Sequence, residues 1–308
     1  MKKFLAVICA ATLTSVFYSG LAHAHGVIGQ RFIPSTLAIE DPFPSDEMDL
    51  LTFNRGSKDK EGRETSFGFE FSKRLTPDFA IAIGWKYLLV DPTEGSKASG
   101  AANPEFNFKY ALLRSPEHEG ILSVGFSIEP GGVGPKRVAE KVTTLGPALY
   151  FGKGLGDLPD SLDYLKPLAI TGVVEVGIPA NRKLAGDDQR NSTTIGYGFA
   201  IMYSIPYLQS SIKDIGLGAP FDRMFPVAEF NFETNINNPD RGRTRGFFNP
   251  GLLWAGKYFQ LGLEAQVPLN NRSGKDVGVK GLVHFFLDDI APSIFARTLW
   301  GATGPAQK

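Results

Sequence analysis

The stretches TSFGFEFSK (residues 65–73) and FAIAIGWKYLL (residues 79–89) flank the turn sequence Leu75-Thr76-Pro77-Asp78. In both stretches apolar side chains take alternate positions, namely Phe67, Phe69 and Phe71, then Phe79, Ile81, Ile83, Trp85, Tyr87 and Leu89. Successive side chains of a β-strand point to opposite faces, so the alternation predicts a hairpin with one apolar face and one face of small or charged residues. A soluble β-sandwich and a transmembrane barrel both fit this hairpin.

The chain length and the N-terminal residues bear on the choice between a soluble β-sandwich and a transmembrane barrel. A chain of 308 residues with 35 glycines and 21 prolines suits one large β domain. Residues 1–24 have the three parts of a signal peptide: basic Lys2 and Lys3, an apolar core, and the cleavage sequence Ala22-His23-Ala24. We therefore expect an exported chain with no membrane-spanning helix, because no later apolar run approaches the roughly 20 residues required.

The cysteine content argues against a disulfide-bonded protein, and the net charge argues against a nucleic-acid-binding protein. Cys9 is the only cysteine and lies in the signal peptide, so the mature chain contains no disulfide. Loss of Lys2 and Lys3 changes the formal charge from 0 to about −2. This balance gives no basic surface for nucleic acid.

Segments with strand character recur along the chain, and their number is even, as in bacterial single-chain barrels. They lie near residues 48–55, 65–73, 77–89, 103–113, 119–128, 143–152, 166–177, 194–206, 223–233, 245–254, 257–267 and 277–287. We predict an all-β fold, a single antiparallel transmembrane barrel of about 12 strands. Two long connections, within 152–167 and 207–222, leave open short helices or a miscounted strand pair, so ten or fourteen strands remain alternatives.

The connections alternate in length along the predicted barrel. Connections near 56–64, 90–102, 129–142, 178–193, 234–244 and 268–276 are long and polar, whereas 74–76, 114–118 and 255–256 are tight turns. Long outer loops and short periplasmic turns are typical of outer-membrane barrels. The predicted organisation is a signal peptide (1–24), a periplasmic N-terminal arm or partial plug (25–47), the barrel (48–287), and a periplasmic tail (288–308) that begins with a short helix.

Charged residues recur on the face opposite the apolar one. A charge facing lipid at mid-bilayer costs about 2–4 kcal/mol, so these side chains are expected to face the lumen. There they would tune passage or satisfy one another in a narrow interior. The lumen-lining candidates are Glu70, Lys86, Glu105, Lys109, Glu175, Glu229, Glu233, Glu264, Lys280 and His284.

Catalytic and metal-binding patterns are sparse. After the arm the histidines are His118 and His284, and neither forms a His-Ser or Asp-His pair in sequence, so we expect no enzyme and no cofactor. His25, at the predicted mature N-terminus, offers an amine and an imidazole for Cu(II). A histidine that merely follows the cleavage site is the simpler interpretation.

The strings GFEFSKRLTPDFAIAIGWKY (68–87) and VKGLVHFFLDDIAP (279–292), with the layout of signal peptide and barrel, resemble outer-membrane β-barrel proteins grouped with the phenol-degradation meta-pathway. The segment 25–47 resembles the start of uncharacterised members. The resemblance implies a Gram-negative outer-membrane channel for small, hydrophobic or aromatic compounds. It carries over no individual site residue, because fold does not fix function.

Two hypotheses lead, and a hydrolase at the rim of the barrel ranks third. The first is a channel in the outer membrane of a Gram-negative bacterium, which contacts lipid, passes a small-molecule solute and meets the barrel-assembly machinery during insertion. The alternative is a non-transporting outer-membrane binding protein that holds a metal through His25.

Overall fold

The computed structural model describes residues 26–183, 191–237 and 240–300. The strands of this part, in chain order, are β1 (Val27–Ile28), β2 (Arg31–Phe32), β3 (Glu47–Arg55), β4 (Gly62–Thr76), β5 (Phe79–Pro92), β6 (Ala98–Ala101), β7 (Glu105–Ser115), β8 (Gly120–Glu129), β9 (Thr144–Gly154), β10 (Leu168–Pro179), β11 (Thr194–Tyr203), β12 (Met224–Asn235), β13 (Thr244–Ala255), β14 (Phe259–Pro268) and β15 (Gly278–Phe286). All except β1, β2 and β6 are barrel strands, and each pairs antiparallel with its neighbours. The ring closes because β3 pairs with both β4 and β15. The prediction of an antiparallel barrel with twelve strands is confirmed.

The two ends of the barrel differ in their connections. The turn end carries the two-residue turn Pro77–Asp78 and the short connections 116–119 and 256–258, together with the longer connections 155–167 and 204–223. The longer pair contains helical turns at Asp160–Leu165, Ile205–Tyr207, Leu208–Ile212 and Phe221–Arg223, and no additional strand among the described residues. At the opposite loop end, β6 lies within the connection from β5 to β7 and pairs with the outer part of β5.

The barrel strands carry apolar side chains outward. Phe69 is 41% exposed and Leu263 is 63% exposed, although both lie within strands. Inward positions alternate large polar side chains with glycines that make room for them. A Cβ at Gly146 would lie 2.3 Å from Glu175 Oε1, and one at Gly251 would lie 2.4 Å from Glu264 Cγ. The inward polar side chains can therefore lie flat against the wall.

The hydrophobic core lies inside the barrel, at the turn end. It forms where Ile28, Ile33, Ile39 and Phe43 of the N-terminal arm pack against inward wall residues such as Phe225. The strands β1 and β2 pair only with each other. The arm, residues 26–46, is thus held in the lumen by side chains and not by the barrel sheet.

The chain after β15 begins with the helix Leu287–Ile290, in agreement with the predicted short C-terminal helix. The following residues return to the turn end of β4. Phe295 packs on Phe71 with ring centroids 6.2 Å apart, and Trp300 N donates to Leu75 O at 2.8 Å. The predicted signal peptide (1–24) and residues 301–308 of the tail lie outside the described residues.

Candidate functional site: a lumen occupied by the N-terminal arm

Arg31 anchors the arm at the turn end of the barrel. Its side chain is fully buried, and its Nε donates to Glu119 Oε2 at 3.1 Å. Its Nη1 donates to Pro167 O at 3.2 Å, and its Cζ lies 3.7 Å from the ring centroid of Tyr207. Burial raises the pKa of the Tyr207 hydroxyl above its ordinary value. The guanidinium thereby links the arm to three separate wall connections.

Glu119 is shaped to receive this arginine. It adopts a left-handed backbone conformation with φ of 49°, and its Oε2 also accepts from Gly156 N at 3.0 Å. A Cβ at Gly154 would lie 2.2 Å from Glu119 Oε2. The glycines of the stretch Gly154-Leu155-Gly156 therefore leave the space that the carboxylate occupies.

Lys109 and Tyr150 bind the arm halfway along the lumen. Lys109 Nζ lies 2.8 Å from Glu40 Oε1 and donates to Asp41 O at 2.6 Å. Tyr150 donates its hydroxyl to Glu40 Oε2 at 3.1 Å. On the same side, Ser123 Oγ donates to Pro42 O at 2.5 Å.

The opposite wall binds the arm through its backbone. Glu229, which is fully buried, accepts from Ala38 N at 2.7 Å and from Ile39 N at 3.1 Å. Lys280 Nζ donates to Leu37 O at 3.1 Å, and Gln260 Nε2 donates to Ser35 O at 2.5 Å. These bonds satisfy arm backbone groups that have no partner strand, which buried backbone requires.

His284 has a partner that the sequence could not reveal. Its Nδ1 lies 2.7 Å from Asp49 Oδ1, and its Nε2 lies 3.5 Å from Glu47 Oε2. Both ring nitrogens face carboxylates, an arrangement that suits an imidazolium linking β15 to β3. A general base that activates a hydroxyl would instead keep one nitrogen directed at that hydroxyl.

All ten predicted lumen residues lie on barrel strands, and their contacts separate them into groups. Glu229, Glu264 and Lys280 lie on β12, β14 and β15, around arm residues 37–39. Glu70, Lys109 and His284 surround Glu40 and Asp41, whereas Lys86 and Glu105 line the space beyond the arm. Glu175 accepts from Ser127 Oγ at 3.2 Å, and Glu233 lies at the loop end.

The sequence analysis missed Arg31, Glu40, Asp41 and Glu119 as parts of the site. No strand period marks the arm, and the wall groups that hydrogen-bond to Arg31, Glu40 and Asp41 lie 68 to 136 residues away in the chain. The pair of glycines at 154 and 156, beside a turn, is the one local signal that a bulky side chain must approach the backbone there.

A cavity of about 530 Å³ remains between the arm and the loop end. We call it the outer chamber. Arm residues 36–40 form one boundary, and inward residues of β3, β4, β5, β7 and β15 form its sides. The connection between β8 and β9 reaches over it, where Asn103 Oδ1 accepts from Val133 N at 3.0 Å.

Metal-binding groups are not assembled in the described part of the chain, where no three His, Cys, Asp or Glu side chains could hold an ion together. His25, the predicted copper ligand, lies outside the described residues. Within the described ranges, no helix has both the length and the apolar character needed to cross a membrane.

Comparison with known proteins shows the fold. No family model matches the chain. No curated protein matches it either. The crystal structure of an outer membrane channel from Pseudomonas putida F1 is similar, with a TM-score of 0.54, 10% identity, and coverage of 83% of this chain and 99% of that one. At this identity the likeness shows the fold alone, an antiparallel β-barrel.

Two other solved barrels are more distant. The NanC porin has a TM-score of 0.47 with 10% identity over 77% of this chain and 98% of its own. The outer membrane phospholipase A from Escherichia coli has a TM-score of 0.39 with 12% identity over 84% and 95%.

Proposed function

We propose that this protein is an outer-membrane channel for small solutes whose own N-terminal arm, residues 26–46, closes the lumen at the turn end. The observation that carries the proposal is how the arm is held. It joins no barrel strand, and side chains of the wall bind it at several levels. A segment bound in this way can leave the lumen without breaking any pairing of the barrel.

Placement in the outer membrane is supported by the outward apolar side chains. Exposed phenylalanine, leucine and isoleucine side chains on barrel strands would otherwise lie in water, at a cost that lipid removes. The expected signal peptide fits export, and the barrel-assembly machinery of a Gram-negative bacterium would then insert the protein. The turn end would face the periplasm, as short turns do in such barrels.

Two observations bear on the class of solute, and they favour different classes. Resemblance to the phenol-degradation family favours hydrophobic or aromatic compounds. The outer chamber, however, is lined by many carboxyl groups and two lysines, which favours polar solutes because desolvating such groups against an apolar molecule is costly. We therefore propose a path for small polar solutes and treat aromatic compounds as the competing outcome.

A catalytic role has no support in the geometry of His284, although some outer-membrane barrels are enzymes. We propose that the imidazole is structural, since it is buried and lies between Asp49 and Glu47. Channel function needs no reacting group of this kind.

The test is conductance in planar bilayers. The processed full chain is compared with a variant that lacks residues 26–40 and retains the approach to β3. We expect low conductance from the full chain and a stable open level after deletion. Heat-dependent migration in gel electrophoresis serves as the folding control for both proteins. Two folded, inserted proteins that both stay silent would overturn the channel proposal.

A further inference from the structure

The chain after β15 lies against the outward face of β4 at the turn end. Phe295 packs on Phe71, which lies on the same side of the strand as the exposed Phe69 because the two positions are two residues apart. We call residues 291–300 the tail segment. The contact with Phe71 places the tail segment on the outer surface of the barrel.

The tail segment shields a charge on this outward side. Lys73 follows Phe71 by two residues and pairs across the hairpin with Ile81, which is exposed on β5. Its Nζ donates to Asp46 Oδ1 at 2.5 Å, to Phe295 O at 3.2 Å and to Arg297 O at 3.0 Å. These acceptors satisfy an ammonium group whose exposure to hydrocarbon would be costly.

The other side of the tail segment is apolar and uncovered. Ile294, Leu299 and Trp300 are 65%, 62% and 65% exposed. The outward residues Ile81 and Ile83 of β5, which is paired with β4, are exposed as well. The apolar side of the tail segment is therefore continuous with the apolar face that the transmembrane barrel presents to lipid.

We propose that the tail segment is a membrane anchor, which inserts Ile294, Leu299 and Trp300 into the phospholipid leaflet at the turn end, next to the headgroups. A tryptophan combines a large apolar ring with one N–H donor, a combination that favours this boundary. Arg297 is exposed between these residues, so its guanidinium can reach a lipid phosphate while its stem lies along apolar surface.

Phospholipid is the occupant that the geometry favours, because the apolar side of the tail segment continues the lipid-facing side of β5 without a polar border between them. A second copy of the chain or a soluble protein would have to displace lipid from both surfaces to reach the tail segment. The anchor is independent of conduction, since it requires only a transmembrane barrel.

Tryptophan fluorescence tests the position of Trp300, because the chain has three tryptophans. Trp85→Phe/Trp254→Phe leaves Trp300 as the single emitter in the full, processed chain, which is placed in nanodiscs of phosphatidylethanolamine and phosphatidylglycerol. The quenchers are a phospholipid brominated on its acyl chains near the headgroup, and acrylamide in the water. We expect the brominated lipid to quench Trp300, and acrylamide to quench it about fivefold less than a tryptophan in water.

Two reference variants calibrate the quenching. In a chain whose three tryptophans are replaced by phenylalanine, Phe69→Trp places the emitter on the lipid-facing side, and Glu117→Trp places it on an exposed turn-end connection. Trp300 should behave as the Phe69→Trp reference does. Quenching by acrylamide alone, as in the Glu117→Trp reference, would overturn the proposal. Protection from both quenchers would also overturn it, because protein would then cover the tail segment.

Trypsin cleavage after Arg297 gives a second readout in the same nanodiscs. Leu299→Ser/Trp300→Ser removes apolar groups that lipid would hold, so we expect cleavage to accelerate at least tenfold. The control Val133→Ser/Ile236→Ser removes exposed apolar groups from loop-end connections, and its cleavage rate should stay within twofold of the parent. Equal rates for the two variants would overturn the anchor. Heat-dependent migration again establishes that each variant is folded.

Discussion

Arg31 Nε lies 3.1 Å from Glu119 Oε2, and the two side chains are 0% and 7% exposed. This pair joins the arm to the turn between β7 and β8 in a place that water does not reach. Removal of one partner from a buried ion pair typically costs about 3–5 kcal/mol, because the other charge is left buried and alone.

We therefore predict that Arg31→Ala releases the arm and raises the open probability in planar bilayers. Protease cleavage of the arm should accelerate in parallel. Arg114→Ala is the matched control, since Arg114 forms a partly exposed pair with Asp78 at the same end, 3.0 Å apart. Exposed pairs contribute about 0–1 kcal/mol, so this variant should behave as the parent. Equal behaviour of the two variants would refute the anchoring role of Arg31.

Glu229 is predicted to act as the second anchor of the arm. Glu229→Ala leaves the backbone N–H groups of Ala38 and Ile39 without their acceptor, at a cost of about 1–3 kcal/mol for each buried group that stays unsatisfied. We expect faster hydrogen exchange at these two amides, measured by mass spectrometry. Glu233→Ala, on the same face of β12 but nearer the loop end, should leave their exchange unchanged.

A disulfide between the arm and the wall should hold the lumen closed. A Cβ at Gly152 would lie 2.9 Å from Pro42 Cγ, which brings cysteines at these positions close to the Cβ separation of about 3.5–4.5 Å found in disulfides. No other cysteine would be present after signal removal. We expect Pro42→Cys/Gly152→Cys, built into the Arg31→Ala variant, to stay closed until a reductant is added. Conductance that ignores the reductant, with the disulfide verified by mass, would contradict closure by the arm.

The outward face is predicted to reject charge. Phe108 lies on the outward face of β7, beside Ile81 and Phe126 of the neighbouring strands. Phe108→Arg should lower the free energy of unfolding in lipid vesicles by about 2–4 kcal/mol, as measured by denaturant titration. Val133→Arg, on an exposed loop-end connection, should change it by no more than about 0.5 kcal/mol. A small effect at Phe108 would place that face outside the hydrocarbon.

The stability that the Lys153–Asp157 pair gives to the connection after β9 should depend on pH only in the acidic range. A hydrogen bond from Lys153 lowers the pKa of the Asp157 carboxyl below its ordinary value of 3.8. Because the folded pKa is the lower one, this contribution is complete above the unfolded pKa and is lost as the pH falls through the folded pKa. We expect Lys153→Met to raise the Asp157 pKa in an NMR titration. Lys213 is an exposed lysine on the next turn-end connection. The control Lys213→Met should leave the pKa of Asp157 unchanged.

The barrel could be predicted from the sequence because the period of a β-strand is a local property of the chain. The alternation at Phe67, Phe69 and Phe71 assigns each side chain a face without knowledge of the partner strands. The lengths of the connections distinguished the two ends of the barrel. The two-residue period of the strands predicted inward positions for Glu70 and Lys109.

Only the tertiary structure decided which charges meet and where the arm lies. His284 and Asp49 are 235 residues apart, and they come into contact because the last strand closes on the first. Arg31 contacts Glu119 because the arm turns into the lumen. No periodic pattern in the sequence predicts this path. The strand period determines a side chain's face, whereas the partner it finds depends on ring closure and on the space that glycines leave. The local strand period therefore determined the barrel. The position of the arm in the lumen was determined by contacts between residues that are far apart in the chain.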